Sequence, residues 1–212
     1  MNVLALLHTS PVHVPVFEAL RDEDAPGLEL RHLVHEQLLS QARELGPEAV
    51  AGSVESILAA AAAVAQGADA VLCTCSTIGA VAEAASVSLG VPVLRVDRPM
   101  AAAAVARGSR IAVVATVAST LEPTTALIRE EAGERPVALR TVLAEDAWAH
   151  FESGDPASYI TAVAETLDAL TDVDVIVLAQ ASMAPAATRT TTPVPVLSSP
   201  RPGLRAAAAA VR

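Results

Sequence analysis

Short apolar runs alternate along the chain with longer stretches whose apolar positions recur at helical spacing. NVLALL (2–7), LELRHLV (28–34), AVLCT (70–74) and PVLRV (92–96) read as strands. RIAVVA (110–115), VALRTVL (137–143), DVIVLA (174–179) and PVPVL (193–197) repeat the theme. The spacing predicts helices over 48–66, where the pattern stops at Gly67, and near 99–107, 121–132, 156–170 and 203–211. Strand and helix alternate throughout, and several strands are apolar on both faces. Such strands belong in parallel sheets covered by helices, so the predicted class is α/β.

The pattern also occurs twice. Asp69 followed by AVLCTCST aligns with Asp174 followed by VIVLAQAS at an offset of 105 residues. Each segment leads into a short helix and then a strand after proline, GVPVLRVDRP in one half and TTPVPVLSSPRP in the other. The opening VLALLHTS pairs in the same way with IAVVATVAST. Two pseudo-symmetric lobes are expected, 1–97 plus 199–212 and 98–198, with the join near Asp97 to Met100 and the last helix, after Pro202, returning to the first lobe. Ligands in such sheets bind outside the carboxyl ends of the strands, so the active site is expected in an inter-lobe cleft.

Composition narrows the chemistry. A chain of 212 residues is long enough for two lobes with real cores. With 52% hydrophobic but only 2% aromatic residues, those cores must be filled by Ala, Val and Leu, which suits closely spaced helices. A net charge of -10 and the lack of any basic run argue against nucleic acid as a partner. LAAAAAVAQG (58–67) is too short to span a bilayer, and no charged segment precedes an apolar one at the start, so neither a membrane nor a secretory signal is expected. The two cysteines, Cys73 and Cys75, are too close for an unstrained disulfide, and a reducing cytoplasm fits them. All 14 basic residues are arginine. Without lysine there is neither a pyridoxal-phosphate Schiff base nor a Walker A loop. No glycine-rich dinucleotide fingerprint follows a strand, and no cofactor is expected.

Hydroxyl and ring side chains gather at four strand ends: His8-Thr9-Ser10, Cys75-Ser76-Thr77, Thr116 with Ser119 and Thr120, and Gln180 with Ser182. Each set precedes a predicted helix start, where unpaired N–H groups attract anions. The set describes a pocket for one or two carboxylates; the same hydroxyls also suit simple N-caps. Cys75 sits where a thiolate is stabilised and its pKa lowered, as nucleophile or acid/base, or else it is an inert buried thiol. Cys73 shares its strand face and reads as a core residue. Two thiolates and scattered histidines do not make a metal site. His8 could orient a substrate, move a proton or serve as a structural donor. His13, His32, His35 and His150 have no partner legible in the sequence. EDAW (145–148) brings a carboxylate to the cleft rim or starts a helix.

With these residues in place the chain resembles the aspartate/glutamate racemase superfamily, which includes hydantoin racemase, maleate isomerase and arylmalonate decarboxylase. Cys75-Ser76-Thr77 is similar to the family's first Cys-Asn-Thr motif, ATVAST (115–120) to its Ala-Thr-x-x-Thr loop, and DVIVLAQASM (174–183) to its second cysteine motif. LLHTSP (6–11) takes the place of the first substrate loop, without its Asp-Ser. The resemblance implies a cofactor-independent, homodimeric enzyme that moves a proton next to a carboxylate between two facing cysteines. Gln180 stands at the second cysteine position, and an amide does not exchange protons usefully near neutral pH. Three readings follow: an isomerase or racemase of an amino acid, hydantoin or dicarboxylate with Cys75 as the one thiol; a single-cysteine decarboxylase of a malonate-type acid; and a carboxylate-binding member without turnover.

Overall fold

The computed structural model describes residues 2–63 and 67–211. The first half of the chain forms β1 (Val3–His8), α1 (His13–Asp24), β2 (Glu29–Val34), α2 (Glu36–Leu45), α3 (Ala51–Ala63), β3 (Ala70–Cys73), α4 (Gly79–Ala84), α5 (Ser86–Leu89) and β4 (Val93–Arg95). The second half forms α6 (Arg98–Arg107), β5 (Arg110–Ala115), α7 (Leu121–Ala132), β6 (Ala138–Leu143), α8 (Glu145–Glu152), α9 (Pro156–Asp168), β7 (Val175–Leu178), α10 (Ala186–Arg189), β8 (Val196–Leu197) and α11 (Pro200–Ala210). Short 3-10 turns at Pro47–Val50, Ser76–Ile78, Ala118–Thr120 and Ala181–Met183 lead into α3, α4, α7 and α10.

Among the described residues the strands make two four-stranded sheets with the same topology, β2-β1-β3-β4 and β6-β5-β7-β8. Every pairing is parallel. The chain separates into two compact units, one running through Val96 and resuming at Pro200, the other Asp97–Ser199. Alternation along the central strands explains their unbroken apolar sequence. In β1, Ala5 and Leu7 pack with Val54 and Leu58 of α3, while Leu4 and Leu6 pack with Phe17 of α1 and Leu204 of α11. In β5, Ile111 and Val113 pack with Met100 of α6 and Leu127 of α7, while Ala112 and Val114 pack with Tyr159 and Val163 of α9. Both faces of each sheet are therefore covered, which is why few aromatic side chains suffice. Helix α11 lies directly on its own unit: a Cβ added at Gly203 would come 2.5 Å from the Val96 carbonyl oxygen.

The internal repeat appears as equivalent contacts. Asp69 Oδ2 accepts from Val3 N at 2.8 Å, tying the start of β3 to β1. Asp174 Oδ2 accepts from Ser109 N at 3.0 Å and Arg110 N at 2.9 Å, tying the start of β7 to β5.

Several elements differ from the sequence expectation. The predicted helix over 48–66 is a 3-10 turn set by Pro47 and then α3; its residues 64–66 lie outside the described residues. The predicted strand 193–197 shrinks to β8, because Pro193 and Pro195 have no N–H to give a ladder. Helix α11 begins at Pro200, three residues early, since prolines fit a first helical turn. Helix α1 lies outside the predicted helices: its apolar residues split between buried Phe17 and exposed Val16, which blurs the stripe. EDAW starts α8. No described helix is long and apolar enough to cross a membrane.

Candidate functional site

The chain leaves the first sheet at the carboxyl end of β3. Cys75 is extended there (φ -108°, ψ 115°) and caps the 3-10 turn Ser76–Ile78. The Thr9 hydroxyl, the N–H groups of Ile78 and Thr77 and the Thr77 hydroxyl surround its sulfur as donors that favour the thiolate, although the side chain makes no capping hydrogen bond. Thr9, Cys75 and Thr77 are thus brought together from two loops of one unit. Ser76 is buried beside them in the chain and Ser10 is half-buried. The expected lowering of the thiol pKa is not found. Burial pushes the Cys75 thiol up, and the four donors offset this only in part. A single 3-10 turn aligns too few peptide dipoles to overcome desolvation. Cys75 nevertheless keeps some surface open, whereas Cys73 is sealed in the core and donates to the Cys75 carbonyl at 3.6 Å.

His8 corrects a second expectation. The ring is 0% exposed, and both nitrogens are engaged inside the unit. Nδ1 lies 2.8 Å from Thr74 Oγ1, and Nε2 lies 2.8 Å from His32 Nδ1. His32 Nε2 in turn lies 3.0 Å from Glu18 Oε1, and Glu18 is also paired with Arg21. A carboxylate only accepts, so His32 Nε2 donates to Glu18. The Thr74 hydroxyl has one proton and also lies 3.1 Å from Leu7 O, which only accepts, so the hydroxyl is shared between Leu7 and His8, and both His8 nitrogens are occupied in either tautomer. No ring nitrogen is left for a substrate. Burial first, then the charges of His13 and His32, lower the His8 pKa to about 3, and burial lowers His13 to about 4. His8 is therefore a neutral structural link between β1, β2 and the end of β3. Neither Glu18 nor Thr74 carried a signal in the sequence, because the link depends on strand register.

The second sheet repeats the arrangement with different chemistry. Gln180 is extended (φ -127°, ψ 139°) and caps the 3-10 turn Ala181–Met183, as Cys75 caps its own. Its Oε1 accepts from Thr116 N at 2.6 Å, Val117 N at 3.1 Å and Thr116 Oγ1 at 3.1 Å. The pair Thr116–Gln180 therefore matches Thr9–Cys75. Ser182 joins through Tyr159, whose Oη lies 2.9 Å from Ser182 Oγ and 3.4 Å from Thr116 Oγ1. Burial pushes the Tyr159 phenol up, so it stays protonated. Tyr159, on α9, was not among the expected site residues; its being the sole tyrosine in so aromatic-poor a chain was the available signal. Thr120 gives its proton to Val117 O at 2.7 Å, a local turn contact rather than a free donor. Ser119 is half-buried in the same turn.

Glu145 and Asp146, the acids of EDAW, line a surface cavity of about 640 Å³ with His150 and Glu165, within the second unit. Neither Cys75 nor Gln180 lines it.

The Asp/Glu/hydantoin racemase family model matches residues 14–209. Among solved structures the chain is similar to glutamate racemase from Francisella tularensis subsp. tularensis SCHU S4 in complex with D-glutamate, with 11% identity, 97% of this chain and 79% of that chain covered, and a TM-score of 0.72. It is similar to allantoin racemase from Klebsiella pneumoniae, with 15% identity, coverage of 99% and 87%, and a TM-score of 0.64. Arylmalonate decarboxylase gives 19% identity, coverage of 100% and 93%, and a TM-score of 0.61. At these identities the likeness is one of fold. No curated protein matches the sequence.

Proposed function

Because the chain belongs to the Asp/Glu/hydantoin racemase family, we propose that it is a cofactor-independent isomerase of a small carboxylate-bearing substrate, working through the Cys75 sulfur. The substrate class is an amino acid, a hydantoin or a dicarboxylate. The observation that carries the reading is the ring of donors on that sulfur, from Thr9, Thr77 and Ile78. Such donors stabilise a thiolate whenever the proton leaves. Once the resting thiol has passed its proton to water, the thiolate takes the proton next to the substrate carboxylate, and the C–H electron pair spreads into that carboxylate as an enediolate. A water on the opposite face then gives a proton to carbon, so the centre inverts, and the new thiol passes its proton to the hydroxide left behind and is a thiolate again. Incubation with amino acids, hydantoins and maleate tests this: isomerisation by the native chain and none by Cys75→Ser is expected. Turnover that survives Cys75→Ser overturns it.

A decarboxylase is the second reading, and two observations favour it. The resting sulfur is held as the thiol by burial, which suits a proton donor. The matching position in the other unit is an amide, so a reaction needing one thiol fits better than one needing two. Here a C–C bond breaks, CO2 leaves, the carbanion takes the Cys75 proton, and the thiolate regains a proton from water. A prochiral malonate should then release CO2 and give one product enantiomer; a racemic product or no CO2 argues against it.

A further inference from the structure

In the second unit three donors converge on the side-chain oxygen of Gln180. Two of those donors, Thr116 N and Val117 N, are backbone N–H groups that cannot accept. The third is the Thr116 hydroxyl, whose proton points to the same oxygen. Oxygen and nitrogen of the amide are therefore fixed by their partners and cannot be exchanged by a flip. Among the described residues Nε2 has no hydrogen-bond partner, and the side chain is only half-buried. We infer that Gln180 is a locked amide that presents its Nε2–H2 group as a fixed double donor to a carboxylate oxygen of the ligand.

The lock is built from the sheet outward. Thr116 follows β5 directly, Gln180 follows β7, and the two strands are paired in register. Tyr159 braces the cluster from α9, reaching both Thr116 and Ser182. Ser182 adds a hydroxyl two residues beyond the amide. Every group so assembled is neutral, and the amide's free end is a donor, so the position favours an anionic oxygen and disfavours an ammonium group. This deepens the carboxylate reading given above and rests on it. It also gives Gln180 a role that a thiol at the same place would not have: holding the ligand rather than exchanging its proton.

Side-chain amide NMR on the full chain, with malonate as the probe, tests the inference. The Gln180 amide should give two resolved proton signals with the rigidity of neighbouring backbone, and malonate should shift them saturably. Equal ionic strength of sodium chloride should not. Gln180→Glu should keep the thermal midpoint, because a carboxylate oxygen fits the same three donors, yet bind malonate at least about tenfold more weakly, as loss of hydrogen bonds to a charged group requires. Thr116→Val should loosen the amide signals. A mobile Gln180 amide, no saturable shift, or unchanged malonate binding in Gln180→Glu overturns the inference. Cys75→Ser should leave the lock intact, since all partners of Gln180 lie within Asp97–Ser199. A mobile amide with Cys75-dependent turnover would sink this inference alone; a locked amide without such turnover would sink the proposed function alone.

Discussion

Acid should destabilise the first unit well before its carboxylates titrate, and the His8 link sets the size of the effect. In the native chain His8 stays neutral down to about pH 3 and His13 down to about 4. In the unfolded chain both take a proton near the ordinary histidine pKa of about 6.5. Between these values the unfolded state binds more protons, so stability rises with pH. The contribution is complete above pH about 6.5 and is lost progressively as the pH falls below it. Each such histidine gives a slope of about 1.4 kcal/mol per pH unit, hence about 2 kcal/mol between pH 6.5 and 5, or about 4 kcal/mol for the two together. Against a typical total of about 5–15 kcal/mol that is a large fraction. Urea unfolding followed by circular dichroism at several pH values measures it. His8→Gln should lower stability at every pH and also remove close to half of the slope, a change that mere loss of packing would not produce. A stability that is flat from pH 7 to 5, or a slope unaltered by His8→Gln, would refute the reasoning.

Two further outcomes follow from the packing and the sulfur's surroundings. Thr9→Val should remove one donor from Cys75, raising the thiol pKa further and slowing iodoacetamide alkylation about fivefold for a lost hydrogen bond of ~1 kcal/mol, with Thr9→Ser restoring the rate. Gly203→Ala should cost about 1–3 kcal/mol by forcing α11 off the Val96 backbone, read as a lower urea midpoint.

The parts of this fold legible in sequence are those written in local periodicity. RIAVVA is β5 without a residue's error, and the Asp69/Asp174 alignment marks carboxylates that do the same work in each sheet. The equivalence of Cys75 and Gln180 follows from that alignment, and both cap matching turns. What escaped the sequence depends on distant residues meeting. His8, His32 and Glu18 come together only because β1 and β2 pair in one register and α1 lies beside them. Tyr159 reaches Ser182 only through the packing of α9 on its sheet. The sign of the Cys75 shift was not legible either, since desolvation is a property of the assembled core while hydrogen-bond donors are visible in the local motif.

Solvent deuterium incorporation, run side by side with the native chain and Cys75→Ser, tests the Cys75 claim most directly. Both proton-transfer readings require label from D2O at the carbon next to a substrate carboxylate, across a panel of amino acids, hydantoins, maleate and malonates. The account predicts label with the native chain on at least one member and none with Cys75→Ser. Equal labelling by both, or no label from either on the whole panel, would contradict it.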